Sequence, residues 1–402
     1  MRNTCVIYTS TLLLFCQLII AQGIWIQKSN YPGNVKQSAT GFSIGNYGYL
    51  GLGYEAFGYA TDFEKYDPLS DSWTPIANFP GGARWSTVGF SIGNFGYVST
   101  GFRSSPNTYY SDLWRYDPVG NSWLQMATFP GGGRWNAVGF SIGGKGYVGL
   151  GYNGVGTFFS DIWEYDPGTN TWTAKASFPG AKAFATSFTI GNKAYIVGGA
   201  PFATGCTNDV WEFDPIANTW TVKASYPGSP CDRMVSFAFG GFGYAGTGKA
   251  TGNGAVTTDF FKYDPSANTW TPITFFTGSA RWLAVGFNIG NKGYLGTGNI
   301  NCPSPGCDLD DLWEYSVSNV GIAETHTSGL MSVCPNPVRN ILNISFDSNT
   351  QKIAIEISNN MGQIILKQDF SDQIDVSSLA QGSYFLKVID QGKVYYSKFL
   401  KE

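Results

Sequence analysis

The dipeptide Asp-Pro recurs at Asp67-Pro68, Asp117-Pro118, Asp166-Pro167, Asp214-Pro215 and Asp264-Pro265, a spacing of roughly 50 residues. A small residue followed by Tyr keeps the same beat, at Gly48-Tyr49, Gly96-Tyr97, Gly146-Tyr147, Ala194-Tyr195, Gly243-Tyr244 and Gly293-Tyr294. Such a chain stacks supersecondary units, each burying its apolar face against the next. In one unit the segments NAVGFSI, KGYVGLGY, SDIWEYDP and NTWTAKA are separated by Gly, Asn and Asp-Pro breaks. Their alternation predicts four short strands joined by tight turns. Pro presets φ at the turn, and Asp or Asn accepts local backbone bonds.

Composition excludes several classes of function. Glycine contributes 52 of 402 residues, aromatics 16% and charged residues 13%. A disordered chain is charge-rich and aromatic-poor, and a helical one avoids glycine at this density. The net charge of −3 implies no bulk attraction to nucleic acid or a membrane surface. A single histidine, His326, excludes His dyads and multi-His metal centres.

Four strands repeated at this period predict an all-β, six-bladed β-propeller over residues 24–316. The tryptophans mark its seams. Trp25, Trp73, Trp123, Trp172, Trp220 and Trp270 share a fourth-strand position, and Trp114, Trp163, Trp211 and Trp313 a third-strand one. These ten are expected in the core between blades. The last unit stops after Asp311–Tyr315, whereas an orphan Trp strand stands at Ile24–Gly33. The N-terminus is therefore expected to complete the last blade and remove the open edges.

Val197-Gly198-Gly199 (loosened to Gly51-Leu52-Gly53 elsewhere), followed by Tyr-Asp-Pro and by Trp six residues after the Asp, resembles the kelch family over about 24–316. The resemblance is to kelch propellers of the kind found in the central domain of galactose oxidase. It implies fold more than function, since kelch propellers include enzymes, sugar-processing proteins and protein-binding modules. After Tyr315 comes a polar linker, 317–330, and then a module, 331–402, expected to be a small Ig-like β-sandwich. Pro335-Asn336-Pro337, Asn359-Asn360-Met361-Gly362-Gln363, Ile374–Leu379, Gly382-Ser383-Tyr384-Phe385 and Lys398-Phe399-Leu400-Lys401 resemble the type A sorting domain of the Bacteroidetes type IX secretion system. That resemblance implies export to the cell surface or medium, with the secretion machinery as a partner.

Residues 1–22 have an early Arg2, an apolar run and a small Ala21, the layout of a secretory signal peptide. No other stretch is long and apolar enough for a transmembrane helix. Disulfides suit the destination. Cys302 and Cys307 are expected to bridge within one loop, Cys206 is expected to bridge Cys231, and Cys334 is left over.

At the start of each first strand one position reads Lys36, Arg84, Arg134, Lys182, Cys231 and Arg281, with Arg233 two places after the Cys. Trp85, Trp135 and Trp282 follow three of the arginines. These residues have two readings. They are scaffold, bonding loop carbonyls, or they form a basic, aromatic-rimmed pocket for an anionic ligand such as an acidic sugar. Neighbouring strand residues point oppositely, which sets each Arg against its Trp. The expected function is a secreted or surface-displayed module binding a glycan or protein at the variable loops. The alternative is a mutarotase-, isomerase- or lyase-like enzyme using Glu55 as acid/base near Arg84. The repeat aspartates Asp62, Asp112, Asp161, Asp209, Asp259 and Asp311 read as scaffold, and Asp308, Asp310 and Asp311 as a solvated loop rather than a calcium site. No cofactor, metal or nucleic acid is expected, and the GxGxxG match at Gly149 lacks a following helix.

Overall fold

The structure, a computed structural model, describes residues 23–317 except 57, 202–204, 230, 251–253 and 303–305, and residues 331–402 except 347–352, 360–363 and 391–392. The expected signal peptide and the linker beyond 317 lie outside the described residues. The chain divides into two compact units at Val317.

The first unit is an all-β propeller. Its described residues form six four-stranded antiparallel sheets; the first runs Thr40–Ile44, Tyr47–Gly51, Phe63–Asp67, Ser72–Pro75. The sixth comprises Val285–Ile289, Lys292–Gly296, Leu312–Ser316 and, as its outer strand, Ile24–Lys28. Trp25 pairs with Tyr315 and Lys28 with Leu312 in that register. First strands lie side by side from sheet to sheet, and Val285–Ile289 returns to lie beside Thr40–Ile44.

The repeated residues explain the stitching. Each outer-strand indole N–H donates to a main-chain oxygen of the preceding sheet: Trp73 to Ser29, Trp123 to Ala77, Trp172 to Ala127, Trp220 to Ala176, Trp270 to Ala224 and Trp25 to Thr274. Most of these tryptophans are therefore half-buried straddlers of a seam; Trp25 alone among them is fully in the core. A second clamp comes from the Asp-Pro turn. Asp71, Asn121, Asn170, Asn218 and Asn268 adopt left-handed φ of 44–55°, which Asn and Asp tolerate best among side-chain-bearing residues. Their Oδ1 atoms accept N–H bonds from the preceding outer strand, as from Ala77 to Asn121 at 2.9 Å.

The kelch doublet has a steric cause. Its second member is always glycine, at 53, 101, 151, 199, 248 and 298, with φ of 83–105°. At Gly151 a Cβ would sit 2.9 Å from the Trp135 carbonyl oxygen. The first member is also left-handed but roomier, so Leu52, Thr100 and Leu150 serve there.

The second unit has two antiparallel sheets, 331–334/341–346/373–375 and 364–369/353–359/382–390/393–401. Leu342 and Ile344 from one and Ile355, Ile357, Leu386 and Val388 from the other share a single core. On the opposite side of its strand Glu356 accepts from Lys367 and Lys387 at 2.8 Å each, which holds its carboxyl at about 2.

Candidate functional site

The basic ring comes first, and here the expectation of a ligand-facing ring is corrected. Lys36, Arg84, Arg134 and Arg281 are wholly buried, and Lys182 nearly so. Each is engaged by the repeat aspartate of its own sheet: Arg84 by Asp112, Arg134 by Asp161, Lys182 by Asp209, Arg281 by Asp311 and Lys36 by Asp62. Arg134 is typical. Its Nη1 reaches Asp161 at 2.5 Å and the Leu150 oxygen at 2.9 Å, Nε reaches the Gly132 oxygen, and the guanidinium stacks 3.7 Å from Phe159. Its backbone carbonyl accepts the Gly101 N–H of the neighbouring sheet at 2.8 Å. Burial lowers the Lys182 pKa, with Asp209 opposing. A cation so enclosed has no donor left for a ligand.

Glu55 is also engaged, by Lys36 at 3.1 Å and Asn34 at 2.9 Å. Asp311 holds Arg281, Asp310 accepts from Asn30, and Asp308 accepts from Asn299. Among the described residues no cluster of three acidic, Cys or His side chains is arranged to hold a metal. Cys302 and Cys307 are disulfide-bonded. The Cys206–Cys231 pairing falls on a side chain, that of Cys231, outside the described set.

The residue after each buried cation, and after Cys231 in the fifth sheet, lies at the mouth of the channel. There, cross-strand pairs stand at one level: Gln37 with Tyr54, Trp85 with Phe102, Trp135 with Tyr152, Ala183 with Ala200, Asp232 with Lys249, and Trp282 with Asn299. The first three sheets and the sixth thus contribute aromatics, the fourth only alanines, the fifth charges. The rings touch in sequence: Tyr54 to Trp85 at 5.6 Å, Trp85 to Trp135 at 5.3 Å, and Trp135 to Phe184 at 6.2 Å. Arg233 continues the arc, lying 4.0 Å from Phe184 and 4.8 Å from Trp282 while paired to Asp232 at 2.6 Å. Burial pushes the Asp232 carboxyl up despite that partner.

A residue further on, Ser38, Ser86, Asn136, Phe184, Arg233 and Leu283 are all left-handed, with φ of 49–64°. Their main chains hand a hydrogen bond from sheet to sheet, from Ser38 N–H to Leu283, Ser86 to Ser38, Asn136 to Ser86, Phe184 to Asn136 and Arg233 to Phe184. This annulus rigidifies the mouth. Around it, Trp85 Nε1, Trp135 Nε1, Ser38 Oγ, Ser86 Oγ and Asn136 Nδ2 are buried polar atoms with no protein partner. Buried polar groups are normally hydrogen-bonded, and an unmade bond costs about 1–3 kcal/mol. All five atoms belong to the first three sheets, on one side of the mouth. Below lies a channel cavity of about 180 Å³ bordered by Ser43, Ser91, Ser141 and Thr189.

The kelch motif family matches residues 151–179 and 181–225, and the secretion system C-terminal sorting domain family matches residues 332–402. Among solved structures the chain is similar to one described as the structure of YjhT. The TM-score is 0.63 and the identity 20%, over 73% of this chain and 98% of that one. At that identity the likeness concerns the fold. No match was found among curated proteins. The first unit is a kelch β-propeller, and the second is a sorting domain of the type IX secretion system, which carries the protein out to the cell surface. Among the described residues no helix is long and apolar enough to cross a membrane.

Proposed function

We propose that the protein is an exported kelch propeller that binds a neutral, hydroxyl-rich glycan at the aromatic side of its channel mouth. The observation that carries this is the Tyr54–Trp85–Trp135–Phe184 arc with its unpartnered donors. Aromatic faces suit the C–H faces of sugar rings, while indole N–H, hydroxyl and amide groups suit their hydroxyls. Neutrality follows from the buried ring, whose cations are cancelled by carboxylates, so no basic funnel draws in an anion. The test is a glycan array followed by calorimetry on the purified protein. Trp85→Ala and Trp135→Ala should each weaken the best neutral ligand at least about tenfold, or ~1.4 kcal/mol. Preference for acidic glycans, or unchanged binding by both variants, would overturn the reading.

A further inference from the structure

The face opposite the mouth carries the short turns, and there the six sheets differ in one paired position. The residue that opens each second strand meets a third-strand residue. In three sheets that residue is a Lys held by a third-strand carboxylate: Lys145 by Asp166 at 2.5 Å, Lys193 by Glu212 at 2.8 Å, and Lys292 by Glu314 at 2.7 Å. In the same three sheets the Tyr of the Gly/Ala-Tyr step donates to the third-strand glutamate, Glu164, Glu212 or Glu314, as Tyr195 does to Glu212 at 2.7 Å. In the other three sheets the same place holds an aromatic ring under a cation: Tyr47 under Lys65, Phe95 under Arg115 and Phe242 under Lys262, at 4.5–4.8 Å. Ion-paired sheets present a neutralised surface there. Lys65 and Arg115 have no carboxylate within ion-pair distance among the described residues.

The first two of these aromatic–cation sheets are adjacent, and each borders an apolar cleft on this face. One, of about 600 Å³, runs between the first and second sheets past Tyr47, Lys65 and Ile76. The other, of about 570 Å³, runs between the second and third past Phe95 and Arg115. Val119, 95% exposed at an Asp-Pro turn, borders both, and Leu69, 93% exposed, occupies the same turn position one sheet earlier. Asp117 is the one carboxylate bordering either cleft, and the Val119 N–H occupies its Oδ1 at 2.9 Å. Two contiguous apolar clefts, each with a cation outside ion-pair distance of any described carboxylate on its wall, suit apolar side chains next to negative charge.

We propose that this turn face of the first three sheets is a docking surface for an extended peptide segment that alternates acidic and apolar residues. Apolar side chains enter the two clefts and carboxylates meet Lys65 and Arg115, each already oriented by its ring. The site is separate from the glycan mouth and does not depend on it.

The propeller itself supplies the control. Tyr47→Lys with Lys65→Glu, and Phe95→Lys with Arg115→Glu, place Lys and Glu at the two positions where three other sheets already carry them. The fourfold variant is therefore expected to fold, which its melting curve checks. The probe is a fluorescein-labelled (Glu-Leu)4 peptide against a (Lys-Leu)4 control, read by anisotropy on the full chain at low and at 0.5 M salt. The expected result is binding of the acidic peptide alone, weakened by salt, and reduced at least tenfold in the fourfold variant with an unchanged melt. Equal binding of both peptides, no binding at low salt, or full retention by the folded variant would overturn the proposal. So would sedimentation showing a wild-type dimer that the variant abolishes, since the occupant would then be a second copy of this chain.

Discussion

Replacing Arg134 by Met separates scaffold from ligand site. The substitution keeps the aliphatic stem against Phe129 and Phe159 but removes every donor. Asp161 is left with the Trp163 indole N–H at 2.9 Å as its remaining side-chain partner, and the oxygens of Gly131, Gly132 and Leu150 lose theirs. Breaking a buried ion pair on one side costs about 3–5 kcal/mol. Asp161 is 32% exposed at its side chain, so water recovers part of its solvation and the lower end, about 3 kcal/mol, is expected. Removing the orphaned charge as well, with Asp161→Leu, should restore much of that loss. The orphaned carbonyls remain, each worth about 1 kcal/mol, so recovery should be incomplete. Urea unfolding of the wild type, both singles and the double gives the coupling energy directly, and adjacent partners should couple by about 1–3 kcal/mol. Stability of Arg134→Met within about 0.5 kcal/mol of wild type, together with lost glycan binding, would refute the scaffold argument and return the ring to the ligand.

Other outcomes follow from the same geometry. Trp25→Ala removes a core side chain that meets Phe237, Phe260, Phe276 and Tyr315; a loss of about 3–5 kcal/mol by urea unfolding is expected. For Asp209, burial raises the carboxyl, but Lys182, Thr207 and Trp211 outweigh it and hold it below the ordinary carboxylate value. A depressed carboxylate lends stability above its unfolded value, near about 4, that is lost as pH falls through the folded one. Urea midpoints should therefore be steady from neutrality to about pH 5 and drop below about pH 4, with a shallower drop in Asp209→Asn. Deleting the sorting domain, 332–402, should leave a folded propeller inside the cell envelope, which surface proteolysis and fractionation would show.

The architecture was legible because its determinants are local. Asp-Pro, the invariant second glycine and the seam tryptophans each mark one strand or turn, and periodicity assembles them. The cations and the repeat aspartates were equally visible, as two series of one period. What the sequence did not show is that they meet: an Arg and an Asp almost thirty positions apart face one another only after the second strand has folded back between them. The mouth was harder still. Ser38, Ser86, Asn136, Phe184, Arg233 and Leu283 share a left-handed backbone and nothing in side-chain chemistry, so no composition signal marks the annulus. Trp85, Trp135 and Trp282 were visible only through their arginines, and Tyr54, Phe102 and Tyr152, across from Gln37, Trp85 and Trp135, were missed. Their signal was available, as aromatics three positions after the second strand in each of the first three sheets.

The pairing of Ile24–Lys28 with Leu312–Ser316 also sets an order of events. A chain made and exported from its N-terminus delivers Trp25 first and Tyr315 almost last, immediately ahead of the sorting domain. Until then the first-made strand has no sheet to join, and five finished sheets present an open edge at each end. Contacts this distant in sequence form slowly, and exposed edges invite association in the interval. The arrival of the segment that completes the propeller thus coincides with the arrival of the signal that sends it out. A chain cut short before Leu312 would lack both, so incomplete products carry no passport to the surface.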